Sequence, residues 1–133
     1  KQVIAYEPMP QVLECLELNI KDLPVTINKY ALGKTENTVN MIYDSVNTGN
    51  SHVDEDTFGS GNITVKRLDD LDVPKFGLVK IDCEICGRKI GTNYKPIVIV
   101  EQHADTEYCA GEFLKKHGAK ELTNVRRDYI FGW

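Results

Sequence analysis

The chain has 133 residues, of which 41% are hydrophobic and 27% charged, and its formal net charge is −4. That length and composition suit one globular domain with a real core, and leave no room for two. The dispersed acidic balance excludes a nucleic-acid surface, which needs clustered Lys and Arg; the longest apolar run, Pro96 to Val100, is far too short to span a bilayer.

In chain order, residues 2–7 read as a buried strand that ends on the carboxylate of Glu7 and on Pro8. Pro10 suits a first helical turn, where its missing N–H costs nothing, and Met9, Val12, Leu13, Leu16 and Ile20 then follow one helical face. Pro24 ends that element, and Val25 to Leu32 reads as the next strand, closed by Gly33. Val39 to Tyr43 and Ile63 to Leu68 look like strands, separated by a polar segment rich in Asn, Gly, Ser and Asp. That segment is long for a plain connection. Leu78 to Asp82 and Pro96 to Glu101 are two more apolar strands that end on acids, namely Asp82 with Glu84, and Glu101 followed by His103. Asp105 or Thr106 can cap a helix running to His117, with Lys115, Lys116 and His117 at its negative end and Gly118 placed to stop it. Glu121 to Val125 and Tyr129 to Phe131 predict a final hairpin.

Alternating strands and helices predict an α/β fold. Ligands of parallel α/β sheets bind outside the carboxyl ends of the strands, so the acids Glu7, Asp82, Glu84 and Glu101 are expected to line one crevice. Lys1 leads into a strand and not into a secretory signal. The four cysteines, Cys15, Cys83, Cys86 and Cys109, are too few for a disulfide scaffold, and Cys15 reads as a buried residue of the helical stripe. A reducing, cytoplasmic setting is therefore expected.

The stretch Val3-Ile4-Ala5-Tyr6-Glu7-Pro8-Met9-Pro10, with Leu16 and Asn19, resembles the E-P-x-P-x5-L-x2-N signature of FkbM-type methyltransferases. The resemblance continues in order through Ala31-Leu32-Gly33, Asn47 to Ser51, Leu68 to Leu71, Lys80 to Glu84, Lys95 to Glu101 and Asp128 to Phe131. It implies a Rossmann-like class I methyltransferase sheet with a C-terminal antiparallel hairpin. It also implies S-adenosylmethionine as cofactor and methyl transfer to an oxygen of a sugar or small metabolite. Glu7, with Pro8, would hold the cofactor ribose, and the backbone at Ala31 and Leu32 would border the adenine. Asp82 and Glu84 would lie beside the methyl donor, with Asp82 or His103 as the base for the acceptor hydroxyl. No nucleic-acid or membrane partner is implied.

Two departures stand out. The family's D-x-G-A-N-type glycine-rich turn has no counterpart, so the resemblance describes an N-terminally truncated domain whose central strand is missing. Exposed sheet edges would then favour a homo-oligomer. Second, the family's E-G-x-E is replaced by Glu84-Ile85-Cys86-Gly87. The resulting Cys83-x-x-Cys86 pair has the shape of half a zinc site, which His103 and Cys109 could complete, or of a redox pair. A non-enzymatic α/β interaction domain, with zinc on that pair, is the alternative reading. Asp54-Glu55-Asp56 reads as a solvated run, Gly59-Ser60-Gly61 lacks the following helix that a phosphate cradle needs, and Arg126-Arg127 reads as the outer face of the hairpin.

Overall fold

The computed structural model describes residues 2–82, 95–101 and 110–133. They form a mixed α/β structure of two compact units, Lys1–Arg67 and Leu68–Trp133.

In the first unit, β1 (Val3–Tyr6) pairs in parallel with β2 (Val25–Asn28), joined by α1 (Pro10–Asn19). Pro10 occupies the first turn of α1, as its sequence position predicts. Met9 and Leu13 are buried and Val12, Leu16 and Ile20 are half-buried, so the expected face is the one that packs. Cys15 is a correction: it is exposed. At about 100° per residue it falls roughly 120° from the centre of that stripe, outside the buried arc.

A second correction concerns Val25 to Leu32, which is not one strand. It breaks at Lys29 and Tyr30, and the chain resumes as β3 (Ala31–Leu32) in a different sheet. There β3, β6 (Ile63–Lys66), β4 (Asn37–Ile42) and β5 (His52–Asp54) lie side by side in that order, around a small core of Ala31, Val39 and Val65.

β5 is an unexpected strand inside the polar segment. Its approach is built from side-chain-to-backbone bonds: Asp44 Oδ1 accepts from the Val46 and Asn47 N–H groups, and Asn50 Nδ2 donates to Asp44 Oδ2. These bonds hold the Asp44 pKa below its ordinary value, those from the Asn47 and Val46 N–H groups leading. β5 and β6 flank β4 on opposite sides, so the connection through residues 55–62 must pass over β4. Thr57 Oγ1 pins the crossing by accepting from Asn40 N–H and donating to the Asp54 carbonyl. Gly61 approaches the Val39 backbone so closely that a Cβ would overlap its carbonyl carbon, oxygen and Cα.

The second unit is one four-stranded sheet, in the order β7 (Leu78–Ile81), β8 (Ile97–Glu101), β10 (Asp128–Gly132), β9 (Lys120–Val125). β7 and β8 are parallel, and β10 runs antiparallel to both β8 and β9. Ile81, Val98, Val100 and Phe131 pack on one face with Leu114 of α2 (Ala110–Lys116) and Ala119. α2 ends as predicted. Gly118 takes φ +91°, and the Gly118 and Ala119 N–H groups donate back to the Lys115 and Leu114 carbonyls.

β1 and β2 form a two-stranded sheet and β7 is an outermost strand, so among the described residues β1, β2 and β7 each have an unpaired side. The Val3 and Glu7 N–H groups donate to the Pro24 and Asn28 carbonyls, so by alternation Ile4 and Tyr6 direct theirs away from β2. Likewise Ile97 N–H donates to the Gly77 carbonyl, which leaves Leu78 and Lys80 facing the far side of β7.

Candidate functional site

Glu7 follows the last residue of β1, where the chain turns into α1. Its carboxylate reaches forward, and Oε1 accepts from the Met9 N–H at 2.8 Å. That bond fixes the turn and sets a negative charge at the positive start of α1. Oε2 has no hydrogen-bond partner among the described residues. Pro8 is half-buried in the same turn. Tyr6, one residue earlier, meets Tyr30 at a ring-centroid distance of 5.7 Å, and Lys66 Nζ sits 4.7 Å from the Tyr30 centroid. Burial, with Tyr30 as neighbour, pushes the Tyr6 phenol above its ordinary pKa. Ala31 is buried and Leu32 half-buried immediately after Tyr30. The Glu7 carboxylate thus keeps one oxygen free, and the preceding Tyr6 forms a separate group with the Tyr30 ring and the Lys66 ammonium. The sequence named Glu7, Pro8, Ala31 and Leu32 as candidates and did not point to Tyr6, Tyr30 and Lys66, whose side chains meet in the fold. The available signal was two tyrosines, each directly before a predicted site residue.

The second group lies across the second unit's sheet, on the face opposite Ile81, Val98, Val100 and Phe131. Asp82 follows Ile81, the partner of Val100, and Glu101 follows Val100, so the two carboxylates meet side by side. Asp128 opposes Glu101 on β10. Lys80 stands among them, with Nζ 3.8 Å from Asp82 Oδ2 and in a hydrogen-bonded ion pair with Asp128. Partial burial would lower the Lys80 pKa, but the bond to Asp128 and the charges of Asp82, Asp128 and Glu101 outweigh it and raise it. Glu101 is raised as well, first by its hydrogen bond with Asp82 and then by the Asp82 charge. A hydrogen bond between two carboxyl groups needs a proton, so the contact with Asp82 favours the protonated form of Glu101.

Of the acids expected at one crevice, the sheet brings Asp82 and Glu101 together, and Glu7 belongs to the first unit. Glu84 and His103 lie outside the described residues, as do Cys83, Cys86 and Cys109 and the helix-capping positions Asp105 and Thr106. No cluster of three metal-ligating side chains occurs among the described residues. No helix among them is long and apolar enough to cross a membrane. Comparisons with protein-family models, with curated proteins and with solved structures return no match.

Proposed function

We propose that this chain carries part of a Rossmann-like, FkbM-type methyltransferase that uses S-adenosylmethionine and transfers its methyl group to an oxygen of a sugar or small metabolite. One observation carries the reading. Glu7 stands at the carboxyl end of a parallel strand, is oriented by the Met9 N–H through Oε1, and keeps Oε2 free for a vicinal diol such as a ribose. Two further features support it. β1 and β7 each have an unpaired side among the described residues, to which a further strand can add. The closing β9–β10 hairpin folds its second strand against β8, as the C-terminal hairpin of the resemblance requires.

In this reading Glu7, with Pro8, holds the ribose, and Ala31 and Leu32 border the adenine. The Asp82 carboxylate receives the proton of the acceptor hydroxyl, with Glu101 hydrogen-bonded beside it. The cofactor, when bound, supplies an electrophilic methyl group, and alignment of acceptor and donor accounts for most of the acceleration. Glu84 and His103 keep the roles that the resemblance gives them.

Isothermal titration with S-adenosylmethionine tests the reading. Binding should be detectable, and Glu7→Ala should weaken it by about tenfold or more, as expected for losing a charged acceptor of two hydroxyls. Absence of binding at millimolar cofactor refutes cofactor binding by this chain. A second reading, a non-enzymatic interaction domain with zinc on Cys83 and Cys86, is favoured by the same open edge of β1. That strand carries no charge and no proline, the usual protections of an edge.

A further inference from the structure

The first unit contains a concavity of about 470 Å³ that the methyl-transfer reading does not use. It opens where the start of α1 faces the end of β4 and the start of β6. Its polar lining comes from Gln11 of α1, Asn40 of β4, Tyr43 just beyond β4 and Asn62 just before β6. Met9 and Met41 supply apolar wall. Among the described residues no Asp, Glu, Lys, Arg or His lines it.

These polar groups are largely uncommitted. Asn40 Oδ1 accepts from the Asn62 N–H at 3.1 Å, which fixes the two residues to each other across the opening. The side chains of Gln11 and Asn62 and the Tyr43 hydroxyl have no hydrogen-bond partner among the described residues. The crossing connection sets this geometry, since Gly61 must pack on the Val39 backbone before Asn62 can reach Asn40.

We propose that this concavity binds an uncharged, hydroxyl-rich ring of monosaccharide size. Carboxamides present a donor and an acceptor on one plane, which matches neighbouring hydroxyls that are themselves both donor and acceptor. Methionine side chains give an adaptable apolar surface for the C–H face of such a ring. A phosphate, carboxylate or ammonium ligand would lose hydration here with no opposite charge to replace it. The volume lies within the range of about 300–1,000 Å³ usual for small-molecule sites. Binding of this kind goes beyond methyl transfer, because it requires neither Glu7 nor the cofactor.

Saturation-transfer NMR on the full chain tests it, with methyl β-glucopyranoside as the neutral probe and glucuronate and glucosamine as charged ones. The neutral glycoside should receive saturation, and the two charged sugars should bind about tenfold more weakly. The double variant Gln11→Leu, Tyr43→Phe alters two exposed positions and should weaken the glycoside about tenfold with an unchanged circular dichroism spectrum. No saturation of the neutral glycoside, equal binding of glucuronate, or full binding by a folded double variant would each overturn the proposal. Should the variant not fold, the neutral and charged probes on the unaltered chain decide the matter alone. Glycoside binding without S-adenosylmethionine binding would overturn the methyl-transfer reading and leave this site standing.

Discussion

Replacing Gly61 by alanine should destabilise the protein severely, and for a purely steric reason. Gly61 does not occupy the left-handed region, so alanine meets no dihedral penalty there. The added methyl instead overlaps the carbonyl group and Cα of Val39. A flexible side chain could rotate away from such an intrusion, but a backbone in the middle of a sheet cannot. Val39 is fully buried and pairs with Ile63, so relief requires either the crossing connection to lift or the β4–β6 ladder to open. Overpacking of this kind costs about 1–3 kcal/mol, and a clash with backbone on both sides belongs at the upper end, about 3 kcal/mol. With a urea dependence of about 2 kcal/mol per molar, the unfolding midpoint should fall by roughly 1.5 M. Gly77→Ala is the control, because a Cβ there meets nothing within 4 Å. It should match the unaltered chain or exceed it slightly, through loss of freedom in the unfolded state. Urea unfolding followed by far-ultraviolet circular dichroism compares the two. Midpoints that agree within about 0.3 M would refute the close crossing of β4.

Two further outcomes follow from the second unit. Phe131→Ala removes a side chain with 0% exposure from the central part of its sheet, and should cost about 3–5 kcal/mol in thermal or urea unfolding. Glu101 is held above its ordinary carboxylate pKa, so the folded state retains a proton that the unfolded chain releases, and stability declines as pH rises through that window. Glu101→Gln should therefore gain stability relative to the unaltered chain above this window and lose the advantage below it. Thermal midpoints measured from about pH 4 to pH 7 decide the sign.

Much of this architecture was legible because its signals are local. Pro10 announced the start of α1, and the acids after Ile81 and Val100 marked the ends of two strands. Gly118 marked the stop of α2. Where the outcome depends on partners distant in sequence, the pattern misled. Val25 to Leu32 is a continuous strand by composition, yet Ala31 pairs with Val65 in another sheet, and no local feature of Lys29 or Tyr30 reveals that switch. β5 stayed hidden because His52-Val53-Asp54 offers one apolar residue. It is held by its ladder with β4 and by the Thr57 bond to the Asp54 carbonyl, with Val53 alone reaching the core. Cys15 could have been placed from the start, since its angle on the helix puts it outside the stripe. As for the candidate sites, an acid at a strand end is visible in the sequence. The contact of Asp82 with Glu101 and that of Tyr6 with Tyr30 need the fold to bring them together.

The position of β10 bears on how the second unit comes together during synthesis. β8 and β9 never touch as neighbours, since each pairs with β10, which is made after both. A ribosome that has released β7, β8 and β9 has therefore produced a parallel pair and a β9 that touches α2 but has no strand partner among the described residues. Only when Asp128 to Gly132 emerge can Phe131 close the core and join the two. Until that moment the apolar β8 edge is open to any extended segment nearby, the exposure that makes an incompletely formed sheet prone to aggregate.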